Sequence, residues 1–178
     1  MKSSESVAAA HPGSLLEETY REIHRERMLG LPILNPELVV EAVGFKPYNG
    51  HWLGVLITPW FMDLMLLSGT ALCPTLVEGK SQSWTFPRGI LKFYGGFEAA
   101  IGSYQACSLF SPMQEFTLQE EARNAAQAIL DGLFVEEPEP VKSQPTGPLA
   151  EMRAAISSPM SKRDFLRGSF LPGRQRET

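Results

Sequence analysis

The residue of this chain best suited to covalent chemistry is Cys107, in the segment Tyr104-Gln105-Ala106-Cys107-Ser108-Leu109-Phe110. A thiol nucleophile needs a neighbouring base, and His24 and His51 are the candidates. No spacing in the sequence brings either histidine to the thiol, and a cysteine in an apolar strand is typical of a buried structural residue. We therefore predict no catalytic residues. A cysteine-dependent enzyme or metallochaperone that uses Cys107 is the alternative.

Metal and nucleotide sites are not indicated either. Cys73, Cys107, His24 and His51 lack the C-x-x-C and H-x-x-x-H spacings of metal sites. Gly95-Gly96 does not belong to a glycine-rich phosphate loop that opens a helix. The sequence therefore predicts no metal and no cofactor.

Protein binding is the function that the residue types favour. After Pro59 the chain carries a run of aromatic and methionine side chains in which Asp63 is the one charge. Such side chains form adaptable contacts when they are exposed, and the alternative is that all of them lie in the core. Since Phe and Met recur beside Pro112, we predict a partly exposed partner-binding patch. Its residues are Trp60, Phe61, Met62, Asp63, Met65, Phe110, Met113 and Phe116.

A second feature is a signal-like segment near the end of the chain. Ser161-Lys162-Arg163-Asp164-Phe165-Leu166-Arg167 is similar to the twin-arginine export motif, S-R-R-x-F-L-K. Lys162 replaces the first arginine, Arg167 replaces the lysine, and no apolar segment follows, so the segment is not expected to direct export. Two interpretations stay open. The segment is a basic tail that contacts an acidic surface, or it imitates a signal peptide and occupies the groove meant for one.

Two helices are predicted at the ends of the folded region. The first begins at Ser14, continues to about Met28, and is stopped by Gly30 and Pro32. The second covers 116–134, where Thr117 followed by Glu120 fits a capping box.

The residues between the helices predict strands. An Asn49-Gly50 turn joins two of them, and periodicity does not decide whether 60–67 is a short helix or an extended edge. The predicted strands are 38–46, 52–58, 81–86, 90–94 and 99–109. This order predicts an α+β fold, a two-layer sandwich of a four- to five-stranded antiparallel sheet with N-terminal and C-terminal helices. We expect residues 1–13 to be disordered, 14–135 to form the domain, and 136–178 to form a flexible linker and the signal-like tail.

Composition narrows the class of protein. The 178 residues carry a net charge of −4, which does not favour nucleic acid. Two cysteines are too few for a disulfide framework, and neither a signal peptide nor a segment of roughly 18 apolar residues is visible. We expect a cytoplasmic protein without stable membrane insertion.

Three motifs together resemble one known family. Gly54-Val55-Leu56-Ile57-Thr58-Pro59-Trp60-Phe61-Met62, then Phe86-Pro87-Arg88-Gly89, then Cys107-Ser108-Leu109-Phe110-Ser111-Pro112-Met113 resemble the HybE-type nickel–iron hydrogenase assembly chaperones, which include HupJ and HoxT proteins. The resemblance covers roughly residues 14–135. It implies an accessory protein without catalytic residues. The implied partners are hydrogenase subunit precursors, the small subunit with its twin-arginine signal first and the large subunit second.

Overall fold

Six antiparallel strands form one sheet, and a helix lies against each of its faces. The computed structural model describes residues 11–69 and 76–135, so the expectations for residues 1–10 and for the linker and tail lie outside the described residues. The elements, in chain order, are α1 (Gly13–Ile23), β1 (Glu41–Tyr48), β2 (His51–Ile57), β3 (Met62–Ser68), β4 (Ser81–Phe86), β5 (Gly89–Glu98), β6 (Gly102–Phe110) and α2 (Gln119–Gly132). The strand order is β1-β2-β3-β6-β5-β4, and α1 continues as a π-helical turn over His24–Met28.

The predicted hairpin between the first two strands is present. Asn49 and Gly50 both adopt positive φ, at 46° and 78°, which is the turn geometry that Asn-Gly favours. Tyr48 pairs directly with His51 across the turn. This tight turn fixes the register of β1 on β2.

The segment after Pro59 is a strand inside the sheet. Met65 of β3 pairs with Gly54 of β2 on one side and with Ala106 of β6 on the other. Of the two conformations considered for 60–67, the extended one is present, but its expected position at an edge is wrong. The backbone groups of β3 are bonded to strands on both sides, which excludes an edge.

Alternation along β2 and β3 divides the core into two clusters on opposite faces of the sheet. On one face, Leu53 and Leu64 meet Ala126 and Ile129 of α2. On the other, Leu56 and Met65 meet α1 through Leu16. Both of these strands are therefore covered by a helix on each side.

The α+β class with an antiparallel sheet and terminal helices is confirmed. The sheet has six strands instead of four to five because 62–68 is a strand. β5 continues to Glu98, past the predicted end of this strand at 94. No helix of the described ranges 11–69 and 76–135 is long and apolar enough to cross a membrane.

α2 starts three residues after its predicted start at 116, and its N-cap is Leu118 instead of Thr117. Leu118 is still extended, with φ −136° and ψ 145°, so the helix begins at Gln119. Glu121, rather than Glu120, accepts bonds from Thr117 N at 2.8 Å, Thr117 Oγ1 at 2.9 Å and Leu118 N at 3.2 Å. The hydrogen bonds from the backbone and hydroxyl of Thr117, and the bond from the backbone N–H of Leu118, lower the pKa of the Glu121 carboxyl.

Close packing of β1 on β2 provides a test of the fold. A Cβ added at Gly54 would lie 2.4 Å from atoms of the Phe45 ring. We expect Gly54→Ala to lower the free energy of unfolding by about 1–3 kcal/mol, because the buried ring must shift. Urea denaturation measures it. In a Phe45→Leu background the same substitution should cost less, and an equal cost in both backgrounds would show that the ring is not responsible.

Candidate partner-binding surfaces

Most of the residues predicted to form an exposed patch are buried. Met62 and Met113 are fully buried, Met65 is 1% exposed, and Trp60 and Phe116 are also buried. The expectation that these five side chains reach solvent is wrong, because a helix or loop covers each face of β3. In this conformation the five side chains belong to the core and expose almost no area that a partner could contact.

Three residues of the predicted patch keep partial exposure, namely Phe61, Asp63 and Phe110. The Phe61 ring meets Tyr20 of α1 edge-on, with centroids 5.8 Å apart. The Phe110 ring meets that of Phe116 at 5.1 Å. The structure thus separates the predicted patch, since Phe61 and Asp63 lie towards α1 and Phe110 lies on the α2 side.

Cys107 lies in the core, apart from His51. Its side chain is fully buried in the cluster under α2. Cys107 of β6 pairs with Leu64 of β3, and His51 of β2 pairs with Ser68 of β3. Because β6 and β2 lie on opposite sides of β3, Cys107 and His51 are separated by roughly 13 Å along the strands and about 10 Å across them. His24 instead faces the Trp60 ring at 5.7 Å. Among the described residues, no group of three metal-binding side chains is assembled.

A cleft of about 420 Å³ lies between two loops at one end of the sheet, and we call it the loop cleft. Its walls come from the loop before β1 and from the loop between β6 and α2. Its lining residues are Leu34, Asn35, Pro36, Glu37, Gln114, Phe116 and Thr117.

One buried side chain connects the two walls. The Asn35 amide nitrogen donates to Met113 O at 2.9 Å and to Phe116 O at 2.7 Å, and Asn35 Oδ1 accepts from Glu37 N at 3.0 Å. Gln114 adds a bond across the surface, from its side-chain nitrogen to Ile33 O at 2.9 Å. The loop cleft is therefore a braced structure whose shape depends on Asn35.

Exposed apolar side chains lie in the chain segments next to those that line the loop cleft. The segment Leu29–Ile33 presents Leu29, Leu31 and Ile33 to solvent, and Val39 and Leu118 are exposed near its margins. Sequence reasoning assigned this segment only a helix-stopping role. In the sequence, the alternation of apolar residues with Gly30 and Pro32 indicates a contact surface. An irregular segment of this kind has no helix or strand face that could be buried against the core.

A second surface is the half of the sheet that α1 leaves uncovered, and we call it the open face. Side chains of residues that pair across two strands lie on the same face of the sheet. Met65 pairs with Ala106 of β6, and Ala106 pairs with Tyr94 of β5, so all three side chains lie on the face that α1 covers at β3. The exposed side chains of this open face are Ser81, Ser83, Thr85, Ile90, Lys92, Tyr94 and Ser108.

Acidic and aromatic groups meet where α1 borders the open face. Tyr20 Oη donates to Tyr104 Oη at 3.4 Å. Burial raises the pKa of Tyr20, and Tyr104 and then the carboxylates of Asp63 and Glu98 add to the effect. Glu98 is itself paired with Arg27 at 3.3 Å. This border therefore combines aromatic rings with carboxylates, the groups that receive an arginine side chain.

Comparison with known proteins identifies the family. Residues 11–168 match the family described as NiFe-hydrogenase assembly, chaperone, HybE. The chain belongs to this family. It is 37% identical over 158 residues to the hydrogenase expression/formation protein HupJ of Bradyrhizobium diazoefficiens, which is 89% of this chain and 88% of that protein. It is also 39% identical over 127 residues to HoxT of Cupriavidus necator, covering 65% of this chain and 71% of that protein.

The solved structure of a HybE protein confirms the fold. The solution structure of HybE from Escherichia coli aligns with a TM-score of 0.59 at 22% identity, over 82% of this chain and 93% of that one. The resemblance stated from the three sequence motifs is thus confirmed, and this HybE-family chain is a hydrogenase assembly chaperone.

The Asn35 brace in this HybE-family domain gives a prediction. Asn35→Asp replaces a donor of two buried hydrogen bonds with a carboxylate that faces two carbonyl oxygens. We expect a loss of about 2–4 kcal/mol of unfolding free energy at neutral pH, measured by urea denaturation. The matched control is Asn124→Asp on the exposed side of α2, which should change stability by less than about 0.5 kcal/mol. Equal effects of the two substitutions would contradict the role of Asn35.

Proposed function

We propose that this chain, as a hydrogenase assembly chaperone, binds the precursor of the hydrogenase small subunit together with its twin-arginine signal, in the cytoplasm and before export. The observation that carries this proposal is the loop cleft with its rim of exposed leucine and isoleucine side chains. A signal peptide joins a basic region to an apolar stretch of about 7–15 residues. An apolar cleft beside a carboxylate-bearing border supplies groups for both parts.

The apolar part of the ligand is assigned to the loop cleft. Leu31 and Ile33 are 43% and 44% exposed, and an apolar segment that covers them removes their surfaces from water. Because Asn35 already holds the two loops together, binding costs less ordering of the chaperone itself. Phe110 and Phe116, two residues of the predicted patch, contribute here from below, since Phe116 lines the cleft and supports the Phe110 ring.

The basic part of the ligand is assigned to the border between α1 and the open face. Asp63 is our candidate for pairing an arginine, and Phe61 and Tyr20 are the rings beside it. The pairing gives a charge-assisted contact, while the rings accept the flat guanidinium face. Of the residues first proposed for partner binding, Phe61 and Asp63 therefore keep a direct role, and Trp60, Met62, Met65 and Met113 support the surface from the core.

The rim of the loop cleft provides the test. We expect Leu31→Gln to weaken binding of the small-subunit precursor by about fivefold, since burial of one leucine of this exposure contributes about 1 kcal/mol. Isothermal titration or a quantitative pull-down with the co-expressed precursor measures the affinity. Leu15→Gln is the matched control, because Leu15 is 48% exposed on the outer side of α1, away from the cleft.

The choice of ligand is tested with the same variants. The small-subunit precursor with its signal should bind more tightly than the same subunit without it, and more tightly than the large-subunit precursor. If removal of the signal leaves the affinity unchanged, the assignment of the signal to this surface is wrong. If the large subunit binds more tightly, the proposed client is wrong.

The buried thiol separates this proposal from cysteine chemistry. Cys107→Ala removes the sulfur from the core, so we expect a loss of about 1–3 kcal/mol in unfolding free energy. Precursor affinity should stay within twofold of the unmodified chain at a temperature where both are folded. A folded variant that no longer supports hydrogenase maturation, with precursor binding intact, would favour the cysteine-dependent alternative.

A further inference from the structure

We propose that the loop cleft holds this chain's own signal-like segment, Ser161–Arg167, when no client is bound. The inference rests on the proposed function in one respect, because the apolar stretch of a client would have to displace the segment from the same cleft. The segment thus regulates the site from within the chain, since it covers the cleft and sets the affinity that a client must exceed.

The first argument is the size and lining of the cavity. The loop cleft encloses about 420 Å³, which lies within the roughly 300–1,000 Å³ of pockets that hold small ligands. Leu34, Pro36 and Phe116 give it an apolar lining, and the bonds of Asn35 hold its two walls together before any ligand binds. Such a cavity has room for a few side chains of a peptide. The adjacent Phe165 and Leu166 are the large apolar side chains of the segment.

The second argument is the charge of the walls. Residues 33–37 and 113–121 contain four acids and no lysine or arginine. Glu37 lines the cleft on one wall, and Glu115 lies between two lining residues on the other. Both are exposed, and within the part of the chain that the structure describes neither forms an ion pair. We call Glu37 and Glu115 the wall carboxylates.

Other carboxylates beside the cleft are already engaged. Arg123 bonds Glu41 at 2.6 Å, and Glu120 adds to the negative charge around this arginine. Glu121 accepts from Thr117 N at 2.8 Å at the start of α2. The wall carboxylates are therefore the groups that we assign to a basic ligand.

The segment has the complementary pattern. It contains three basic residues and one acid, and Arg163 and Arg167 lie on either side of the Phe165-Leu166 pair. An apolar pair between two bases matches an apolar cavity with one carboxylate on each wall. Opposite charges of this kind fix the register of a ligand and exclude acidic competitors.

The third argument is reach. α2 begins at Gln119, next to the lining residue Thr117, and ends at Gly132, about 20 Å away along the helix axis. The 25 residues from 136 to 160 have an r.m.s. length of about 25–30 Å as a random coil. This length is close to the distance back along α2 to the cleft. A linker whose length matches the span gives the highest effective concentration of a tethered ligand.

The fourth argument comes from the family. The family match runs from residue 11 to residue 168, one residue beyond Arg167. The signal-like segment thus lies inside the part of the chain that matches the family model, while the last ten residues lie outside it. This supports a role for the segment together with the folded domain.

The segment differs from a client in a way that suits an occupant which must leave. No apolar stretch follows Arg167, so only Phe165 and Leu166 can enter the cleft. A signal peptide carries about 7–15 apolar residues and can cover Leu31 and Ile33 as well. The client therefore buries more apolar surface and displaces the segment, while its arginines reach the border at α1.

The test uses the full chain and amide shifts by NMR. The readout is the backbone amides of three cleft residues, Gln114, Phe116 and Thr117. Arg163→Glu and Phe165→Ala should each move these amides, because the segment leaves the cleft when it loses a charge pair or an apolar contact. Arg174→Glu makes the same charge change outside the family match and should leave them in place. Amides that stay in place in either of the first two variants would overturn the proposal.

Addition of the segment in trans is the complementary measurement. A synthetic peptide of residues 160–168, titrated into the Arg163→Glu chain, should return the three amides towards their original positions. In an Arg163→Glu chain that also carries Glu37→Gln and Glu115→Gln, peptide affinity should fall about tenfold at low ionic strength, roughly threefold for each exposed pair.

The matched control for the wall carboxylates lies on α1. Glu18 and Glu22 are exposed there, and replacing both with glutamine in the Arg163→Glu chain removes the same total charge. Peptide affinity should be unchanged in this control. Equal affinity in the two sets of variants would overturn the assignment of the wall carboxylates.

Competition separates this inference from the proposed function. A tethered segment acts at an effective concentration of about 1 mM, so a peptide Kd of about 0.1 mM would keep the cleft about tenfold more often occupied than empty. Arg163→Glu should then bind a twin-arginine signal peptide about tenfold more tightly than the unmodified chain. If the cleft amides respond to Arg163→Glu but no signal peptide binds either chain, the segment docks and the proposed function is wrong. If both chains bind the signal peptide equally and the amides are unmoved, the proposed function stands and the docking does not.

Discussion

Two neighbouring strands that are apolar on both sides impose the architecture of this domain. β2 and β3 place leucine, valine, isoleucine and methionine on each face of the sheet, and neither face can be left in water. The chain meets this demand with α2 on one face and α1 on the other. β4 and β5, by contrast, alternate polar and apolar residues, so they need cover on one face only. The open face is a direct consequence of that change in pattern along the sheet.

The same constraint explains which parts of the fold were predictable. The Asn49-Gly50 hairpin, the alternating strand β4 and the amphipathic helix α2 carry local signals, and all three are present. The segment after Pro59 carries no such signal, because a continuous apolar run looks the same in a buried strand, a buried helix and an exposed patch. Its interpretation as a surface was wrong for Met62 and Met65, since the helices that cover them come from distant parts of the chain. The hydrophobic pattern of a segment shows that its side chains favour burial, but it does not show whether another element of the fold covers them.

The loop cleft was beyond sequence reasoning for a related reason. Asn35 beside Pro36 indicates a turn, and its bond to Glu37 N fits that reading. Its other two bonds reach Met113 and Phe116, which follow it by 78 and 81 residues, and no local pattern encodes such a pairing. The exposed Leu29–Ile33 segment could have been recognised, because apolar residues between glycine and proline in an irregular stretch have no strand or helix face to occupy.

The two surfaces suit different parts of a client because they are built differently. The loop cleft is a braced pair of loops with exposed apolar residues beside it, so it offers apolar area without a fixed backbone register. The open face is a sheet surface whose side-chain positions are set by cross-strand pairing, so charges at its margins, such as Asp63 and Lys92, are held at fixed positions. Fixed charges discriminate between ligands mainly through the cost of a mismatched or unpaired partner. The proposed ligand has a basic part and an apolar part, and our proposal assigns the apolar part to the loose contact surface and the basic part to the surface with fixed charges.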